Sequence, residues 1–274
     1  MSVTPLLEVA DLRVEFHANR GIFGPVTSIA LDGVSFTIAA GETLGLVGES
    51  GSGKSTLARA ILRLLPLAAG RVLWQGEDLF ALRPAALRAR RREFQIVFQD
   101  PLASLDPRMT VAAALGEPLA IFAAEATPRE RRRRIDTMLE RVGLAVSLRD
   151  SYPRELSGGQ CQRVAIARAA LLGPKLLVCD EAVSSLDVSI QGQIVNLLVD
   201  LQKELGMAML FISHDLAVVR HLSHRVLVLY EGKVVETAAC ETLFSAPSHP
   251  YTRSLLAARG LVASRALPLF LPDG

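Results

Sequence analysis

The stretch GESGSGKST, residues 48–56, has the types and spacing of a phosphate cradle. It fits G-x-x-x-x-G-K-[ST], and it lies between an apolar run and a helix-like one, the setting that pattern needs. Gly48, Gly51 and Gly53 let backbone N–H groups converge on phosphate oxygens, with Glu49, Ser50 and Ser52 as the intervening loop. The N-terminus of the helix opened by Thr56 and its neighbours adds its dipole. Lys54 supplies a point charge for β- and γ-phosphates, and Ser55 a hydroxyl for Mg²⁺. A chance glycine-rich turn would match this pattern in roughly one chain in a hundred of this length, before its flanks are considered. LLVCDE, residues 176–181, supplies acids where an apolar strand ends. Asp180 can hold Mg²⁺ through water, and Glu181, on the other side of the chain, can polarise an attacking water as general base. Cys179, just before them, is a small core residue.

ELSGGQ, residues 155–160, poses a different problem. Ser157, Gly158, Gly159 and Gln160 sit just before a helix-like stretch, about a hundred residues from the cradle. The glycine pair permits close approach but offers no nucleophile, metal ligand, acid or base.

These residues need a scaffold, and the chain repeats one. TLGLVG (43–48), FQIVFQ (94–99), KLLVCDE (175–181) and AMLFIS (208–213) are short, nearly uninterrupted apolar runs. Each is followed by a turn or a helical pattern; the turn at Asp100-Pro101 is the strongest. Buried strands alternating with helices predict an α/β fold, a mainly parallel sheet with helices on both faces. LLEVADLRVEF and GVSFTIAAGE alternate apolar and polar residues instead, which predicts an N-terminal antiparallel β subdomain. RVLVLYEGKVVE predicts a hairpin turning at Glu231-Gly232. Residues from about 101 to 160 are rich in Ala, Leu and Arg and broken by prolines, and read as an inserted helical subdomain. Within it PRERRRRID is read as a solvated helix face rather than a docking patch, since Glu130 and Asp136 dilute its charge. The expected organisation is one domain over 1–274. Its nucleotide-binding core comprises about 1–100 and 161–236, and a C-terminal appendage runs from about 237.

Composition narrows the function classes. Thirty basic residues against 28 acidic give a net charge of +2, no general electrostatic case for nucleic acid or membrane. Cys161, Cys179 and Cys240 form no CxxC pair, and support neither a disulfide framework nor a zinc site. Glu8 and Asp11 stand where a signal peptide would be apolar. VAAALGEPLAIFAA is interrupted by Glu117 and Pro118 and is too short to span a bilayer.

Taken in order, GESGSGKST, Gln99, LSGGQ, LLVCDE, SSLD (184–187) and His214 resemble the motifs of ATP-binding-cassette ATPases, over about residues 6–257. The resemblance implies a P-loop NTPase core that binds ATP and Mg²⁺ and hydrolyses ATP. It also implies an answer to the idle glycines. In this family two cassettes face each other head to tail, and the LSGGQ of one closes on ATP held by the other. Gln99 then takes the role of the loop residue that senses Mg²⁺ and the attacking water. Asp187 couples the two sites, and His214 contacts the γ-phosphate. Phe16 is the choice for stacking on adenine; Phe36, the other nearby aromatic, suits the core by its place in an alternating strand.

Within the family, VFQDPLASLDPRMTV, APSHPYTRSLLAA and the stretch ALDGVSFTIAAGETLGLVGESGSGKSTLAR resemble the peptide and nickel importer branch. That implies a peripheral subunit on the cytoplasmic face of the cell membrane, with two transmembrane permease subunits and a substrate-binding protein acting through them. A second, different ATPase is the favoured partner, a second copy the alternative. Ala182 departs from the proline usual after the catalytic Glu, and no cysteine follows Cys240, so no iron–sulfur cluster is expected. Both departures lean towards nickel over peptide without deciding. The rival readings are an ABC exporter ATPase, a cassette ATPase acting on DNA or ribosomes, and an ATP-binding module without turnover. The importer-like HPYT, the near-neutral charge, and the presence of Glu181 with His214 argue against them in turn.

Overall fold

The structure is a computed structural model that describes residues 4–19, 25–184 and 186–259. The C-terminal LPLFLPDG, at 267–274, and Ser185 of SSLD lie outside the described residues.

Two sheets organise the chain. β1 (Leu7–Asn19) and β2 (Pro25–Ile38) form a long antiparallel pair, and β3 (Thr43–Val47) then enters the core ahead of α1 (Lys54–Ile61). β4 (Ala69–Trp74) and the two-residue β5 (Glu77–Asp78) return to the first sheet, whose order is β2-β1-β4-β5, antiparallel throughout. After α2 (Pro84–Arg90), β6 (Phe94–Val97) starts the far edge of the second sheet. α3 (Pro101–Ser104), α4 (Val111–Phe122), α5 (Pro128–Arg141), two 3-10 turns and α6 (Gly158–Ala170) fill the interval before β7 (Leu176–Asp180). α7 (Val188–Leu205), β8 (Ala208–Ile212) and α8 (Leu216–Leu222) follow, then the hairpin β9 (Arg225–Tyr230) and β10 (Lys233–Ala239), and finally α9 (Cys240–Ser245) and α10 (Pro250–Ala257). The second sheet runs β10-β9-β3-β8-β7-β6, parallel except for the β9–β10 hairpin. All four apolar runs of the sequence are parallel strands in it, and the hairpin turns at Glu231-Gly232.

The central strands are apolar on both sides because both sides are covered. Leu177 and Cys179 of β7 face one cluster, to which α4 to α10 contribute Leu115, Leu139, Ile166, Leu198, Val219, Leu243 and Leu256. Leu176 and Val178 face the other, made with Leu57 and Ile61 of α1 and with Leu7, Leu12, Leu31, Val72 and Trp74 of the antiparallel sheet. On the second face, therefore, α1 shares the covering role with a sheet. Phe36, 7% exposed, belongs to that cluster.

Two local details bear on the sequence reading. α4 runs through Pro118, the residue that with Glu117 interrupts the apolar stretch VAAALGEPLAIFAA. Proline removes one intrahelical bond, but Leu115 and Leu119 on either side are fully buried and hold the turn. α5 begins with a reciprocal capping box between Thr127 and Glu130. It buries Ile135, Met138 and Leu139 while Arg129, Arg132, Arg133 and Arg134 face solvent, as a solvated basic face should.

Candidate nucleotide site and signature helix

The loop between β3 and α1 is tightly backed. A Cβ on Gly48 would come within 2.2 Å of Leu229 O, and one on Gly53 within 2.7 Å of Ala30 O. Gly53 also has φ +105, a conformation other residues rarely adopt. The loop rests on the β9–β10 turn, where Gly232 N donates to Ser52 O at 3.0 Å. Lys54 is 5% exposed, and its Nζ donates to Gly48 O at 2.9 Å and Glu49 O at 2.7 Å. Burial lowers the pKa of this ammonium, against the opposing charges of Glu181, Asp180 and Glu49.

The acids come from the next strand but one. Asp180 ends β7 at 4% exposure and accepts a hydrogen bond from Ser55 Oγ at 2.9 Å. Burial pushes its carboxyl up, and the Glu181 charge adds to this; the Ser55 bond and the Arg59 charge work the other way. Glu181 follows with φ +51, in the left-handed region, which costs a non-glycine residue about 1–2 kcal/mol. The turn is held by Glu181 N donating to Ile212 O and by Ser184 N and Oγ donating to Glu181 O. It takes Glu181 out of strand alternation and into a cleft of about 350 Å³. Ala30, Ser50, Gly51, Gly53, Lys54, Ser55, Thr56, Gln99 and Glu181 line that cleft. His214, at the end of β8, has Nδ1 3.7 Å from Glu181 Oε2.

The oxygens at the cleft suit a hard divalent cation. The Ser55 hydroxyl and the Asp180 carboxylate touch, and Gln99 offers an amide. Asp180 is a buried acid whose ionised form burial disfavours, the situation a cation relieves. Ser55, Asp180 and Gln99 are thus the residues that would hold Mg²⁺.

Several expected residues lie elsewhere. Ser157 caps α6: its Oγ accepts from Gln160 N at 3.3 Å, and Gln160 Oε1 accepts from Ser157 N at 2.9 Å. None of Ser157, Gly158, Gly159 and Gln160 lines the 350 Å³ cleft. Among the described residues outside its own helical turn, a Cβ on Gly158 would meet nothing within 4 Å, whereas one on Gly159 would meet Ile190 Cγ2 at 2.8 Å. Asp187 precedes α7, exposed, with no side-chain capping bond. Phe16 sits on β1 opposite Ser28, 45% exposed, and is not among the residues of the cleft.

Sequence reasoning missed the residues that brace the site. Ala30 lines the cleft. Asp215 Oδ1 caps α8 through Ala217 N and Val218 N, and its Oδ2 accepts from Gln191 Nε2 of α7 at 3.3 Å, fixing the loop that carries His214. An Asp between a strand and a helical run is a capping signal, so this one was available.

A second cleft, of about 340 Å³, opens beside Gln99 between the end of β6, α4 and α6. Ile96, Val97, Phe98, Pro118, Ile121, Phe122, Ala165 and Ala169 make it largely apolar, and Ile121 is 59% exposed. Arg168 of α6 ties its wall together by bonding Ser104 O and pairing with Glu117. No helix among the described residues is long and apolar enough to cross a membrane.

Known proteins resemble this chain in sequence and in fold. The sequence model of the family described as "ABC transporter" matches residues 31–184. The chain is 51% identical over 257 residues to the oligopeptide transport ATP-binding protein OppF of Escherichia coli K12, covering 92% of this chain and 77% of that one. It is 50% identical over 256 residues to the glutathione import ATP-binding protein GsiA of Escherichia coli O6:H1, covering 93% of this chain and 41% of GsiA. Among solved structures, the ATP-binding cassette MJ0796, a dimer in a post-hydrolysis state bound to ADP and Pi, superposes with a TM-score of 0.76 at 29% identity. That match covers 85% of this chain and 98% of the other. With the phosphate loop, the acid pair and the signature helix disposed as described, the chain belongs to the ABC transporter family and is one of its ATP-binding cassette ATPases.

Proposed function

We propose that this cassette is the ATP-hydrolysing subunit of a peptide importer, working at the cytoplasmic face of a membrane against a second cassette. The observation that carries the two-cassette reading is Gly158. The described residues leave space at its Cβ position and its φ is ordinary, so nothing among them demands glycine there. The group that needs the room comes from outside. Ser157, Gly158 and Gly159 at the N-terminus of α6, with Gln160 behind them, suit a γ-phosphate carried by another cassette. A related cassette solved as a dimer with ADP and Pi supports the same reading. A different ATPase is the favoured partner, as in the sequence resemblance, and a second copy the alternative.

Within the cleft the loop from Gly48 to Thr56 would hold the phosphates, with Lys54, kept in place by its loop carbonyls, turning its remaining N–H to them. Glu181 would take the proton of the attacking water, oriented by Gln99, and His214 beside it would contact the γ-phosphate. Mg²⁺, when bound by Ser55, Asp180 and Gln99, would neutralise charge on the phosphates. Asp187 would relay between the paired sites, and Phe16 would stack on the adenine.

The apolar cleft beside Gln99 is our candidate dock for a permease. One of its walls is α6, the helix that carries the signature residues at its start, so a push there would move Ser157–Gly159 relative to the core. We take the segment from about 101 to 160 as the unit that moves. ATP can drive such closure only by binding the closed pair better than the open one. The two departures noted in the sequence lean towards nickel. The named relatives instead carry peptide and glutathione transport in their descriptions, and we take peptides as the cargo class. Purification of the tagged chain from native membranes tests the assembly: two membrane subunits should accompany it, and their consistent absence would remove the transport reading.

A further inference from the structure

The peptide unit joining Gly48 to Glu49 is held from both ends. Its carbonyl accepts from Lys54 Nζ at 2.9 Å, and its N–H donates to the hydroxyl oxygen of Tyr251 at 3.0 Å. Tyr251 lies 202 residues downstream, in the first turn of α10. It belongs to the HPYT stretch, which the ATPase chemistry leaves without a role.

Tyr251 is itself firmly placed. Its ring centroid is 4.2 Å from that of Tyr230, the last residue of β9, with the planes tilted by 37°. The Nδ1 of His249, which caps α10, accepts from Tyr251 N at 3.2 Å. Ahead of it the Glu236 carboxylate on β10 accepts from Ser248 N and Oγ, each at 2.8 Å, and from His249 N at 3.0 Å. A phenylalanine would pack on Tyr230 equally well. What the hydroxyl adds is the bond to the loop.

We infer that Tyr251 is a positioning residue for the phosphate-binding loop: through the Gly48–Glu49 peptide it fixes the carbonyl on which Lys54 rests, and so couples the C-terminal helix to nucleotide affinity. The physical reason is preorganisation. A peptide plane anchored at its N–H cannot rotate its carbonyl away from Lys54, so less ordering remains to be done when phosphate arrives. Loosening α10 would loosen the loop by the same route, which gives a partner bound at the C-terminus a handle on ATP binding.

The inference rests on the reading that loop 48–56 binds ATP, and the test separates the two. ATP affinity of the purified full chain is measured by calorimetry for wild type, Tyr251→Phe and Lys54→Ala, with thermal unfolding recorded without nucleotide. A single hydrogen bond of this kind predicts a Kd for ATP about two- to tenfold weaker in Tyr251→Phe, with Tm lowered by no more than the about 1–5 °C that one such bond accounts for. In the assembled complex the same loss should fall on KM for ATP rather than on kcat. Unchanged affinity in Tyr251→Phe, a Tm drop larger than about 5 °C, or a defect confined to kcat would each overturn the inference. If Lys54→Ala binds ATP as wild type does, the loop reading itself fails and the coupling with it.

Discussion

Replacing Gly158 by alanine separates what the chain needs from what a partner needs. Among the described residues outside its own helical turn, the new methyl meets no atom within 4 Å. Alanine also removes the conformational entropy that glycine loses on folding, a gain of about 0.5–1 kcal/mol. For a chain of this size that is a rise in Tm of about 1–3 °C. In the proposed closed pair the same methyl would intrude between a helix N-terminus and a phosphate. Overpacking of that kind costs about 1–3 kcal/mol, roughly a five- to 150-fold loss of ATP-dependent association. Thermal unfolding of the isolated chain gives the first number. Sedimentation of the Glu181→Gln background with and without ATP gives the second, and ATPase of the assembled complex should fall with it. Gly159→Ala is the internal contrast, since its Cβ would lie 2.8 Å from Ile190 Cγ2; it should lower Tm where Gly158→Ala raises it. A Gly158→Ala chain that keeps full association and turnover would refute the argument, because the open space would then have no visitor. A lowered Tm would refute its other half.

Other consequences follow from the same geometry. Glu181→Gln should bind ATP with wild-type affinity while turnover falls about 10²- to 10⁴-fold, the usual worth of a positioned base; single-turnover hydrolysis measures it. Asp180 has a carboxyl pKa raised by burial, so its charge costs stability above its unfolded-state pKa, and that cost is relieved as pH falls through the raised value. Asp180→Asn should therefore raise Tm at neutral pH, flatten its rise towards acid, and abolish Mg²⁺-dependent turnover, as calorimetry and ATPase assays would register. Glu236 behaves in the opposite sense. Burial alone would push its carboxyl up, but the bonds from Ser248 and His249 prevail and hold it at about 2, against an ordinary 4.5. Its contribution is complete above pH 4.5 and lost as pH falls from there towards 2. Amide exchange across α10 should quicken in that window, and Glu236→Gln should remove the dependence.

How much was legible in the sequence depended on whether a residue's surroundings are local. The phosphate loop was readable because strand, glycines, lysine and helix are contiguous, and β3, β6, β7 and β8 because strands covered on both faces are apolar without alternation. Glu181 was legible as an acid beside Asp180. The left-handed turn that aims it into the cleft was not, because it depends on Ile212 and Ser184 holding the backbone. The β4–β5 return to the first sheet carries too short and too mixed a pattern to stand out: β5 is only Glu77 and Asp78. The bond from Glu49 to Tyr251 spans 202 residues and could come only from the fold.

The central claim is that hydrolysis in this cleft is coupled to peptide uptake, and one rate measurement addresses it directly. The complex purified with its membrane subunits is placed in lipid, and ATP hydrolysis is followed as substrate-binding protein is added empty, peptide-loaded or nickel-loaded, with Glu181→Gln as control. The expected result is stimulation by the peptide-loaded protein above both other forms, and none in the control. A rate that is indifferent to all three forms, or raised by nickel alone, would contradict it.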